Sequence, residues 1–159
     1  MTTKNTDLVA NFEASPQVAN NAAELAGVLR TAHGTVELAA GDSTDNDIVM
    51  LAPIPSNAAV PQLFVGSDTF GGSCTFNVGL YTSAGVVKDE DVFATSVADA
   101  GAMTDVRFEV ADLNTGSKKL WELAGDSTDP GGYFYVAITF NATGGTGGSL
   151  NWNINYIVD

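Results

Sequence analysis

The run LNWNINYIV, residues 150–158, alternates without a break: Leu150, Trp152, Ile154, Tyr156 and Val158 fall on one side, and Asn151, Asn153 and Asn155 on the other. A strand with one buried and one solvated face requires this period of two, whereas a helix would scatter the same residues around its circumference. The rhythm recurs along the chain. In RTAHGTVEL, Ala32, Gly34, Val36 and Leu38 oppose Thr31, His33, Thr35 and Glu37. CTFNVGLY (74–81) sets Cys74, Phe76, Val78 and Leu80 inward against Thr75, Asn77 and Gly79, and DVRFEVADL alternates through Val106, Phe108 and Val110. YFYVAITF (133–140) buries Phe134, Val136, Ile138 and Phe140. The continuously apolar run at 47–55 adds a strand, with Pro53 and Pro55 that end it or place its tail at a sheet edge, and AVPQLFVGSDTF (59–70) adds another. A further strand lies within VVKDEDVFATSV, where the charged stretch 88–91 reads as a loop.

About eight short strands at hairpin spacing predict an all-β fold, an antiparallel β-sandwich or jelly roll, over residues 27–159. One short helix interrupts it: in SKKLWELAG, Ser117 caps the start, Gly125 ends it, and Leu120, Trp121 and Leu123 plug the core. NATGGTGGS (141–149) reads as a flexible hairpin tip between the last two strands. Residues 1–26 form an N-terminal arm, in which Ser15-Pro16 can cap a short helix through QVANNAAELAG.

Charge narrows the partners. Nineteen acids against six bases give a net charge of −13, which repels phosphate backbones and argues against nucleic acid. The amino terminus lacks the basic-then-apolar layout of a cleaved export signal, and no apolar run reaches membrane-spanning length, so a soluble chain with no membrane partner is expected. Cys74 is the one cysteine, which leaves neither an intrachain disulfide nor a multi-cysteine metal site.

The residues that could carry chemistry are few. His33 is the one histidine, on the outer side of its strand, and no G-x-S-x-G elbow accompanies it. An acidic phrase occurs twice, as ELAAGDSTDND (37–47) and ELAGDSTDPGG (122–132). Closely spaced oxygens of this kind suit calcium, but the first copy has Asp47 where a helix-loop-helix site has glycine and Pro53 where it has glutamate. The stronger reading of 42–47 and 126–129 is a corner before a strand, because Asp and Ser bond to the backbone two residues on. Asp89, Glu90 and Asp91 are adjacent, unlike the separated carboxylates of glycoside hydrolysis. With Trp152 inward and Trp121 in the plug, only Tyr81, Tyr133 and Tyr135 remain for a sugar-stacking face. No catalytic, cofactor or metal-ligand residue is assigned, and an enzyme is not expected.

Two stretches carry a resemblance. GTVELAAGDSTDNDIVMLAPIPSNAAV, from Gly34, gives a strand, an acidic loop, a DIVML strand and a proline-marked bend. LWELAGDSTDPGGYFYVAITFNATGGTGGSLNWNINYIVD gives a helical turn with Trp121, an Asp129-Pro130-Gly131-Gly132 corner and two closing strands. In this order of elements, over about residues 27–159, the chain resembles the capsid decoration, or cement, proteins of tailed bacteriophages. The resemblance implies a β-sandwich made in the host cytoplasm that binds the major capsid protein on the outer surface of the virion, as a homo-trimer, and fastens neighbouring capsomers. The alternative is a receptor- or carbohydrate-binding module of a phage fibre.

Overall fold

The computed structural model describes residues 9–11, 14–19, 27–99, 101–107 and 113–158. Within them the chain forms β1 (Val28–Leu38), β2 (Ile48–Pro55), β3 (Ala58–Ser67), β4 (Thr75–Tyr81), β5 (Val87–Ala98), β6 (Gly101–Asp105), a 3-10 turn (Leu113–Ser117), the one-turn helix α1 (Leu120–Leu123), β7 (Tyr133–Phe140) and β8 (Gly148–Val158). The strands build two four-stranded antiparallel sheets, ordered β1-β8-β3-β6 and β2-β7-β4-β5. Successive strands mostly cross between the sheets instead of pairing locally, and this order is that of a jelly roll.

The inner faces meet in one core. Ile54, Leu63, Val78, Leu80, Phe93, Val136, Ile138, Leu150 and Ile154 are fully buried, and Phe140 meets Phe70 and Phe76 edge-on at centroid separations of 5.6 and 6.1 Å. The inward sets predicted for β1, β7 and β8 point to this core; Trp152 is half-buried beneath Gly34, where any Cβ would lie 2.8 Å from its ring. β2 is an edge strand, as its prolines require. Leu120 is buried, with Trp121 and Leu123 packed against the core, and Gly125 closes the turn at φ +77°.

Several expectations are corrected. The glycine run 141–149 is no hairpin tip, because β7 and β8 lie in different sheets. It is a tight crossover: Gly144 N–H donates to Ser43 O (2.7 Å), and Gly145 and Thr146 N–H both donate to Phe70 O (2.6 and 2.8 Å). The 88–91 stretch is strand, part of β5, whose three register irregularities against β4 lay Asp89 and Glu90 over Gly79. In consequence the outer side of β4 is covered too: Asn77, Gly79 and Tyr81 are buried. A strand not expected from the sequence runs at Gly101–Asp105; of the strand expected at 105–113, Val106 is buried, and residues 108–112, with Phe108 and Val110, lie outside the described residues. Lys119 takes the N-cap position in place of Ser117, its N–H donating to Glu122 Oε2 at 2.7 Å. After Ser15-Pro16, residues 17–19 are not helical, residues 9–11 before it are, and 20–26 lie outside the described residues.

Arg107 is the unexpected core residue. Fully buried, it stacks on Phe93 (5.0 Å to the centroid), and donates from Nε to Val60 O (2.8 Å) and from Nη2 to Thr115 O (2.9 Å). Burial lowers its pKa to about 10, against the opposing pull of Asp105, so it stays charged and pins the segment after β6 onto β3 and β5.

Candidate functional site

Alternation in β1, β8 and β3 sends a second set of residues outward, and the register aligns them in three rows. Thr31, Asn155 and Gln62 form one, His33, Asn153 and Phe64 the next, and Thr35, Asn151 and Gly66 the third. Thr31 Oγ1 donates to Asn155 Oδ1 at 2.9 Å, Asn155 Nδ2 to Gln62 Oε1 at 2.9 Å, and Thr35 Oγ1 to Asn151 Oδ1 at 2.7 Å. These bonds hold the amides in place. Asn153 Oδ1 is buried and makes no hydrogen bond among the described residues. His33 is the one ionisable group in the nine positions, on a chain with 25 charged residues. The face therefore offers ordered amides and hydroxyls beside Phe64, with almost no charge to desolvate, which suits contact with another protein surface.

The remaining sequence candidates are dispersed. His33 is exposed on this face, whereas Cys74 is buried on the other side of the molecule's core, donating weakly to Ala142 O (3.3 Å); burial pushes its thiol pKa up and Asp99 adds to the shift. Both copies of GDSTD are corners that lead into strands. In the first, Asp42 Oδ2 accepts from Ala39 N–H (2.8 Å), and Asp47 accepts from the Thr44 hydroxyl and amide, which hold its carboxyl below the usual range. In the second, Asp126 pairs with Lys88 at 3.0 Å, while the Ser56 hydroxyl and Gly131 N–H lower the pKa of Asp129. Among the described residues no group of three or more His, Cys, Asp or Glu side chains is placed to hold a metal ion.

Tyr81 is buried against Thr139 under the β5 bulge, its pKa raised by that burial, so it is no part of a stacking face. Tyr133 is exposed and Tyr135 half-buried at the start of β7. A second surface was not foreseen: Ile48 and Met50 on β2 and Val86 beside Gly85 are exposed, with Met50 Cε 3.7 Å from where a Gly85 Cβ would stand. Next to them a cleft of about 480 Å³ opens at the first corner, lined by Leu38, Asp42, Asp47 and Ile48–Met50. Gln62 and Phe64 were also missed, although they alternate with buried Leu63 and Val65 as outward residues should.

No protein-family model matches the chain, and no curated protein matches it in sequence. Solved structures do. A chain in the capsid of Ralstonia phage GP4 is similar over 84% of this chain and 86% of its own, with 18% identity and a TM-score of 0.55, which shows a shared fold. A chain of the cyanophage Pam1 capsid asymmetric unit has 15% identity over 84% of this chain and 86% of its own (TM-score 0.45). One from the acid-stable capsid of Helicobacter pylori bacteriophage KHP30 has 13% identity over 82% and 94% (TM-score 0.38).

Proposed function

We propose that the chain is a non-enzymatic structural protein of a tailed-phage virion, bound to the outer surface of the capsid, where it reinforces contacts between capsomers. The observation that supports this reading is the shared fold with a chain of the GP4 phage capsid, over 84% of this chain and 86% of that one. The charge-poor amide face supplies a surface for the major capsid protein, and the acidic remainder of the chain keeps the free protein soluble. Reinforcement then needs no chemistry. Each copy bridges neighbouring capsid subunits, and many weak contacts on a symmetric shell add to a large resistance against separation. A homo-trimer about a local threefold axis is the arrangement that delivers three such bridges at once.

The test is cosedimentation of purified protein with capsids of its own phage that lack it. Saturable binding is expected, and Asn151→Asp/Asn155→Asp, which adds two charges to the face, should weaken it at least about tenfold. Absence of binding, or full binding by the double variant, contradicts the reading.

A further inference from the structure

Each sheet ends in two edge strands, and three of the four carry the devices by which β proteins prevent edge-to-edge pairing. β2 has Pro53, Pro55 and a bulge between Met50 and Ala52. β5 has three register irregularities and the charges Lys88, Asp89, Glu90 and Asp91. β6 is five residues long, with an irregularity in its pairing to β3. β1 is long and has neither proline nor bulge, and it carries two charges, Arg30 and Glu37, set far apart instead of clustered. It pairs with β8 through eleven consecutive residues, Val28↔Val158 to Leu38↔Gly148, without proline or bulge. Among the described residues no strand covers its other side.

We infer that this open edge is an interface between two copies of the chain, with β1 pairing antiparallel to β1 of the second copy about a twofold axis at His33. Two observations point to a second copy as the occupant. The first is charge: β1 contains one Arg, Arg30, one acid, Glu37, and no Lys or Asp, so on a chain of net charge −13 it is a segment where like chains meet without acid facing acid. The second is the strand's near-palindrome. Centred on His33, Ala32 opposes Gly34, Thr31 opposes Thr35, Arg30 opposes Val36, Leu29 opposes Glu37 and Val28 opposes Leu38.

Each pair joins residues of equal parity, so the buried and solvated faces of the two sheets stay in line. Thr–Thr pairs directly across strands are favourable, and here they occur twice. Val28, 65% exposed in the single chain, gains Leu38 as an aliphatic neighbour at each end. The contact joins two four-stranded sheets into one of eight, ordered β6-β3-β8-β1-β1-β8-β3-β6. This inference rests on the fold alone and holds whatever the dimer binds.

Sedimentation equilibrium on the full chain up to about 100 µM tests it, a range that captures dissociation constants in the micromolar region. Free of the capsid, on which the threefold grouping proposed above forms, the wild-type chain should reach twice the mass of a monomer. Thr31→Asp/Thr35→Asp places acid against acid in both threonine pairs and should weaken the dimer at least about tenfold, whereas Thr31→Asp/Thr35→Lys makes both pairs complementary and should restore it to within about threefold. Both variants lose the same hydrogen bonds to Asn155 and Asn151, so equal melting temperatures separate pairing from folding. A wild-type chain that stays monomeric, an assembly insensitive to both variants, or two variants equally impaired would overturn the interface.

Discussion

Gly144 and Gly145 sit side by side in the crossover from β7 to β8, and the structure assigns them opposite tolerances. A Cβ on Gly144 would stand 2.5 Å from Ser43 Oγ, 2.8 Å from Phe70 O and 2.9 Å from Phe70 Cβ; one on Gly145 would meet nothing within 4 Å. To reach an ordinary separation of about 3.4 Å, the Phe70 carbonyl must retreat by about 0.6 Å (3.4 less 2.8). That carbonyl accepts two hydrogen bonds from the crossover, and Ser43 O accepts a third from Gly144 itself. Overpacking costs about 1–3 kcal/mol and each loosened hydrogen bond about 1 kcal/mol, so Gly144→Ala should destabilise by about 2–4 kcal/mol. For a chain of this size the melting temperature should fall by about 5–15 °C. Gly145→Ala should stay within about 0.5 kcal/mol of wild type. Urea unfolding of the two variants, with the slope checked for constancy, reads the difference. Equal effects, whether both small or both large, would refute the close-packed crossover; both small is what a flexible tip would give.

Other consequences are independent of that one. Arg107→Ala removes the stack on Phe93 and leaves the Val60 and Thr115 carbonyls without their guanidinium donor, so chemical denaturation should show a loss of about 3 kcal/mol or more; a loss under about 1 kcal/mol would contradict the role given to this side chain. Asp47 and Asp129 have lowered folded pKa values, so their contribution to stability is present above the unfolded value near 4 and is lost as pH falls through the folded values; Asp47→Asn/Asp129→Asn should flatten stability between about pH 4 and pH 2. Asp89 runs the other way. Burial raises its folded pKa, so Asp89→Asn should be the more stable protein at pH 7, with the advantage shrinking as pH falls toward about 4. Deletion of residues 1–26 should weaken attachment to capsids in a pelleting assay while leaving the melting temperature of the β domain within a few degrees; full retention on particles would remove the arm from the binding surface.

The sandwich was legible because burial imposes a period of two on β1, β7 and β8, and because Pro53 and Pro55 cannot sit in a central strand. The crossovers were not legible. Glycines serve tight packing as well as flexibility, and only the approach of Phe70 and Ser43 to Gly144 separates the two. Nor does alternation reveal that a bulged neighbour covers the solvent side of a strand, as β5 covers Asn77 and Tyr81. The doubled GDSTD phrase was read as a corner, and each copy is one, because its carboxylates bond to nearby backbone or side chains at strand starts. The outer face was half visible: Thr31, Thr35 and the three asparagines were placed outward, while their alignment with Gln62 and Phe64 needed the register of β3 against β8.

The claim that this jelly roll decorates a capsid is tested most directly by electron microscopy of purified particles, with mass spectrometry for stoichiometry. The expected result is density for the eight-stranded sandwich repeating over the outer capsid lattice, in fixed ratio to the major capsid protein. Absence from the particle, or presence at the tail alone, would contradict it.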